Sequence, residues 1–188
     1  MRELSLHILD IVQNSISADA TLIEIDIDEN MQADFLQLCI RDNGKGMTPE
    51  LLKTVSDPFV TTRTTRKVGL GLSLLKSAAE ACGGQMVISS SIGTGTEVRV
   101  CFVYSHIDRA PLGDIGETLV TLIVCNPCID FFYKHKVNEE MFELDTREVK
   151  KKIDGMEINN MEVVLWIKQY LVEGIKSLYE GVCHEKLS

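Results

Sequence analysis

Long apolar runs are missing from this sequence: no stretch approaches the roughly 18 consecutive apolar residues of a membrane span. The opening segment, Met1 to His7, sets an acid and a histidine where a secretory signal needs an apolar core. The expectation is a cytoplasmic protein without a membrane partner. Cysteine is sparse, six in 188 residues, and most of the six sit inside apolar runs where a reduced thiol acts as a small hydrophobe. A disulfide framework is therefore not expected. Basic residues are outnumbered 19 to 28, giving a net charge of −9, with the acids scattered through both halves. Bulk affinity for nucleic-acid phosphates needs the opposite sign. Internal repeats and low-complexity tracts are also lacking. A composition of 45% hydrophobic and 25% charged residues is that of an ordinary globular protein. The length suits one domain with an extension.

The periodicities alternate between helix and strand. Leu4, Ile8, Ile11, Val12 and Ile16 recur at three- and four-residue steps and predict a helix from Leu4 to about Ala18. Ile23, Ile25 and Ile27 alternate with Glu24, Asp26 and Asp28, which predicts a half-buried strand, and Phe35–Arg41 follows as its hairpin partner. Thr48-Pro49-Glu50 starts a short helix, because Thr caps and Pro is tolerated at the first helical position. Residues 57–71 read as a loop. Leu72–Ala81 reads as a helix, and Gln85–Ser91 and Thr96–Val103 as two strands.

After Tyr104 a polar connection, residues 105–116, suggests a boundary between a first domain, 1–104, and a C-terminal extension, 117–188. Within the extension Thr118–Cys125, Ile129–His135 and Met141–Leu144 are strand-like. A helix starts at Thr146 and ends at Asp154-Gly155. The last helix, Met161–Leu178, carries Val164, Ile167, Leu171, Ile175 and Leu178 on one stripe, a core face with a homodimer contact as its other use. Cys125 and Cys128 form a CxxC. A zinc site wants a second pair, so these read as ordinary strand-end cysteines.

Four segments carry chemistry. Asp10 and Asn14 are four apart, so both project from one helix face. The amide can offer a neutral oxygen to a hard divalent cation, and the acid can accept a proton from a nucleophile. A solvated polar face is the bland alternative. Asp42-Asn43-Gly44-Lys45-Gly46-Met47 ends a strand. Its glycines admit a flat ligand, and its carboxylate can accept from an exocyclic amine; a plain glycine turn fits as well. The run Asp57 to Lys67 gathers hydroxyls and cations in an acidic chain, which suits phosphate oxygens as well as it suits a solvated loop. Gly69-Leu70-Gly71-Leu72 runs into a helix, where free N–H groups favour an anion. The third glycine of a dinucleotide fingerprint is lacking, as is any Gly-Lys-Ser/Thr of a P-loop.

Together these segments resemble the nucleotide-binding domain of the GHKL superfamily, which includes gyrases, heat-shock chaperones, histidine kinases and mismatch-repair ATPases. The likeness covers about residues 1–104. Its acid-x-x-x-Asn element matches Asp10 and Asn14, and its Asp-x-Gly-x-Gly element matches Asp42, Gly44 and Gly46. Its phenylalanine matches Phe59, its Gly-x-Gly-Leu matches Gly69, Gly71 and Leu72, and a late-strand threonine matches Thr96. The resemblance implies an α+β fold, a two-layer α/β sandwich on a mixed, mostly antiparallel sheet, with a small C-terminal α/β extension. It also implies ATP and Mg²⁺ as cofactors. By the same likeness Asp42 reads adenine, Asn14 holds Mg²⁺ and Asp10 is the catalytic residue. Ala18, Gly44, Gly46, Met47, Phe59, Thr61, Thr62, Arg66, Gly69, Leu70, Gly71, Leu72 and Thr96 complete the nucleotide site.

The pattern is most similar to histidine kinases with a short lid. Two departures matter. Nine residues precede Asp10, leaving no phospho-accepting helix hairpin, and His7, one turn before Asp10 on the same helix, reads as a packed or surface side chain. The implied acceptor is a His or Ser on a separate protein. Asp10 also stands where the gyrase-like and serine-kinase branches have glutamate, and so reaches about one methylene less. The other reading is an ATP-gated binding or regulatory module, an anti-sigma-like switch with slow turnover or none.

Overall fold

The structure, a computed structural model, describes residues 3–56 and 71–185. In chain order the elements are α1 (Leu4–Ser17), β1 (Leu22–Asn30), β2 (Phe35–Asp42), α2 (Pro49–Ser56), α3 (Gly71–Ala81), β3 (Gln85–Ser91) and β4 (Gly95–Val103). Then come α4 (Ile115–Cys125), β5 (Asp130–Val137), β6 (Glu140–Asp145), α5 (Thr146–Lys152) and α6 (Met161–Glu185). The six strands form one sheet in the order β3-β4-β2-β1-β5-β6. Among the described residues β1 and β5 alone pair parallel, and the other four ladders are antiparallel. The fold is thus α+β with a mixed, mostly antiparallel sheet, as the resemblance implied. Two of the three strands expected in the extension, β5 and β6, continue the same sheet, because β5 lies directly beside β1.

Alternation decides which face of the sheet meets the helices. Ile23, Ile25 and Ile27 of β1, Leu36, Leu38 and Ile40 of β2, and Val98, Val100 and Phe102 of β4 are buried together with Leu4, Ile8 and Ile11 of α1 and Leu72 and Leu75 of α3. Their neighbours on β1, β2 and β4 point the other way, to a polar face where Arg41 meets Glu97 at 2.6 Å and Glu24 at 3.6 Å, while Arg99 meets Glu97 at 3.0 Å. That face needs no cover, so the sandwich has two layers.

One expectation is corrected. Thr118–Cys125 is not a strand but the body of α4. Its run of Thr118, Val120, Thr121, Ile123 and Val124 is β-branched and reads locally as extended. The helix is set by its start: the Asp114 side chain accepts the Glu117 N–H at 2.9 Å, an N-cap. Ile115, Leu119, Leu122 and Ile123 then fall on one buried face. Tertiary burial outweighs the strand propensity, and Cys125 consequently ends a helix. The last helix also runs on past Leu178 to Glu185. Among the described residues no helix is long and apolar enough to cross a membrane.

Candidate functional site

Asp42 closes β2, opposite Ile23 of β1 on one side and Thr96 of β4 on the other. Its carboxylate is held from three directions. Oδ1 accepts the Gly44 N–H at 2.9 Å and the Thr96 N–H at 3.2 Å, while Oδ2 accepts the Ser15 hydroxyl at 2.6 Å. Each carboxylate oxygen has two acceptor directions, so Oδ2 keeps one for a ligand.

The turn after Asp42 is locked by its own residues. Asn43 Oδ1 accepts from the N–H groups of Thr21 at 2.8 Å and Leu22 at 2.9 Å. The Lys45 N–H donates to the Ala18 carbonyl at 2.8 Å, fastening the turn to the end of α1. Gly46 has φ +67°, and a Cβ there would sit 2.0 Å from the Ser91 carbonyl oxygen. Glycine is required at that point on both counts. Ser90 then knits the strands together: its hydroxyl accepts the Met47 N–H at 2.9 Å, donates to the Gly95 carbonyl at 2.9 Å and pairs with the Thr96 hydroxyl at 2.9 Å.

These elements enclose a cleft of about 570 Å³, inside the size range of small-molecule sites. Of the residues expected at the site, Asn14, Ala18, Asp42, Gly46, Met47, Leu72 and Thr96 line it. Gly44 lies directly behind, where a Cβ would meet the Ala18 carbonyl at 2.6 Å. Ile11, Ile40, Leu51 and Val98 supply apolar walls; periodicity placed Ile11 on the buried stripe of α1, and none of the four was expected at the site. Ser15, Ser17 and Lys45 also line the cleft and were not among the expected residues. Ser15 carried one usable signal, a small hydroxyl on the otherwise apolar side of α1.

Asp10 is placed differently. It is not among the residues lining the cleft, but it packs against the first residue of α3: a Cβ on Gly71 would stand 2.8 Å from Asp10 Oδ2. His7, one turn earlier, is 2% exposed with Nδ1 unpartnered, so it is a packed residue rather than a surface one. Burial lowers its pKa from 6.5, opposed by the nearby Asp10 charge and by a hydrogen bond to the Gly71 backbone. Phe59, Thr61, Thr62, Arg66, Gly69 and Leu70 lie outside the described residues. Cys125 and Cys128 are both exposed free thiols, and among the described residues no group of three or more His, Cys, Asp or Glu is placed to hold a metal ion.

Residues 2–106, more than half of the chain, match the family model of histidine kinase-, DNA gyrase B- and HSP90-like ATPases. The chain belongs to that family. Sensor protein kinase FleS of Pseudomonas aeruginosa is 37% identical over 110 residues, covering 58% of this chain and 27% of the kinase. Histidine protein kinase DivJ of Caulobacter vibrioides is 31% identical over 103 residues, covering 53% of this chain and 17% of the kinase. The chain therefore spans about a quarter or less of these relatives. Among solved structures, the N-terminal domain of a DNA repair protein superposes with a TM-score of 0.52 at 17% identity, over 77% of this chain and 53% of that one. That likeness concerns the fold alone.

Proposed function

We propose that the cleft binds MgATP and that the protein passes the γ-phosphoryl group to a His or Ser of a separate protein. The observation that carries this is the Asp42 carboxylate, presented to an apolar-walled cleft by three donors with an acceptor direction left over. Such a group suits the exocyclic amine of adenine, and Ile40, Val98, Met47 and Leu72 suit its flat ring. The names of the FleS and DivJ relatives support a kinase-type activity.

The donor set fits the nucleotide and its cation. Asn14 offers a neutral amide oxygen from the cleft wall to Mg²⁺, which when bound would offset phosphate charge. Gly71 opens α3, and the positive end of a helix dipole favours phosphate oxygens. By the family resemblance Thr61, Thr62 and Arg66 are assigned to the triphosphate. In transfer, the bond from the γ-phosphorus to the bridging oxygen breaks as the acceptor atom attacks, and ADP leaves. Asp10 takes the proton of a hydroxyl acceptor.

A second reading, the ATP-gated binding module, draws support from Asp10 lying outside the cleft lining. Calorimetry with ATP and γ-labelled transfer to candidate partner proteins test the pair. Asp42→Asn places a donor before the adenine amine and removes a charge-assisted bond of roughly 1.5–3 kcal/mol. A tenfold to hundredfold loss of ATP affinity is expected. Unchanged affinity in a folded variant overturns the adenine assignment. Partner binding tightened by ATP with no label transferred replaces the kinase reading by the switch.

A further inference from the structure

The stripe expected to be core on α6 does face inward: Ile167, Leu171 and Leu178 are buried, Val164 and Ile175 are partly buried, and Val163 joins them. Three contacts fix how the helix is rotated. Lys168 pairs with Glu117 of α4, the Tyr170 hydroxyl donates to the Glu143 carbonyl of β6 at 3.2 Å, and the Tyr179 hydroxyl donates to Glu29 of β1. With the rotation set, the outward side is determined by sequence, and it sets apolar residues among Glu162, Gln169, Glu173 and Lys176. Met161 is 71% exposed, Leu165 59% and Val172 55%, while Trp166, 50% exposed, stacks on Tyr170 at 5.2 Å on the flank beside β6. A helix that only covers a core presents polar residues to solvent, and clustered exposed apolar residues mark an interaction face.

We propose that this face binds the same face of a second copy, with the two α6 helices antiparallel and crossing at Gln169. Turning one helix end over end about Gln169 sets residues equally far from it against each other. Glu162 and Lys176, each two turns away, then meet with opposite charge at both ends, and Trp166 comes level with Val172 of the other copy at the rim of the contact. A two-fold contact must be self-complementary in this way. Parallel pairing would set Glu162 on Glu162 and Lys176 on Lys176, both repulsive. Among the described residues the competition for these charges is weak: Lys176 lies 3.3 Å from Glu180 in an exposed i,i+4 pair, an interaction that exchanges readily. Gln169 and Glu173 are joined at 2.8 Å along the helix, which leaves the Glu173 methylenes to cover Leu165 of the other copy.

Sedimentation equilibrium of the 188-residue chain tests the pairing, with emission from Trp166, the single tryptophan, as a second readout. The wild type should approach twice the 21.0 kDa chain mass as concentration rises, with Trp166 emission shifting to the blue. Glu162→Lys and Lys176→Glu should each weaken dimerisation about tenfold, and the double variant should restore it. Leu165→Asp should give a monomer with unchanged circular dichroism. A wild type that stays at 21.0 kDa at every concentration overturns the proposal, including when a foreign amphipathic helix binds the face. A dimer broken by Leu165→Asp but indifferent to the charge reversals, or not restored by the double variant, overturns the antiparallel arrangement.

Discussion

The Ser15 hydroxyl donates to Asp42 Oδ2 at 2.6 Å, joining α1 to the end of β2 across 27 residues of sequence. The bond aims the carboxylate, since the two backbone donors on Oδ1 alone leave it free to pivot about that oxygen. Ser15→Ala is expected to lower unfolding free energy by about 1 kcal/mol, and ATP affinity several-fold, through loss of one hydrogen bond to a charged group. Urea denaturation and calorimetry check the two effects. Full affinity in the variant would show that the backbone donors suffice.

Asn14 lines the cleft one residue before Ser15, with an amide oxygen and no charge of its own. Asn14→Ala should weaken MgATP binding far more than binding of ATP in the presence of a chelator. Equal losses under the two conditions remove the metal role and leave Asn14 as a nucleotide contact.

Much of this site was legible because its parts are local. Asp42-Asn43-Gly44-Lys45-Gly46 ends a strand whose alternation is unambiguous, and Gly46 is required by a φ of +67°. The Ile23, Ile25, Ile27 alternation fixed β1, since only one face of the sheet is covered. Non-local pairings were not legible. Nothing near Ser15 signals a carboxylate 27 residues away, and nothing in β5 signals that it will lie parallel to β1. The reading failed at α4, where five β-branched residues suggested a strand and a cap at Asp114 with a buried face decided otherwise. Ile11 and Val98 show a third limit, because periodicity cannot separate a core residue from one that also walls a cleft.

His7 should give stability a pH dependence. Its folded pKa lies below the unfolded value of about 6.5, so below that pH the unfolded chain binds more protons than the folded one. The sign is therefore a loss of stability as pH falls through about 6.5 toward the folded pKa, with no contribution above the unfolded value. His7→Leu should flatten that part of the profile. Denaturation midpoints from about pH 7.5 to about pH 5.5 test this; parallel profiles in wild type and variant would assign the acid sensitivity to other groups.

Asp10 decides between turnover and gating. Its carboxylate abuts Gly71 at the start of α3 and does not line the cleft, so Asp10→Asn is expected to leave ATP affinity nearly intact. If the acceptor is a hydroxyl, loss of the base should lower transfer by about 10²–10⁴. A neutral imidazole is already nucleophilic and needs only orientation; for a histidine acceptor Asp10→Asn should then cost less than Asp10→Ala. Single-turnover transfer of a γ-label, measured beside calorimetric affinity, separates these outcomes. A transfer rate unchanged in both variants removes Asp10 from the chemistry. Absence of transfer in the wild type, with partner affinity raised by MgATP, leaves Asp10 as a packing partner of Gly71 that sets how α3 answers to nucleotide.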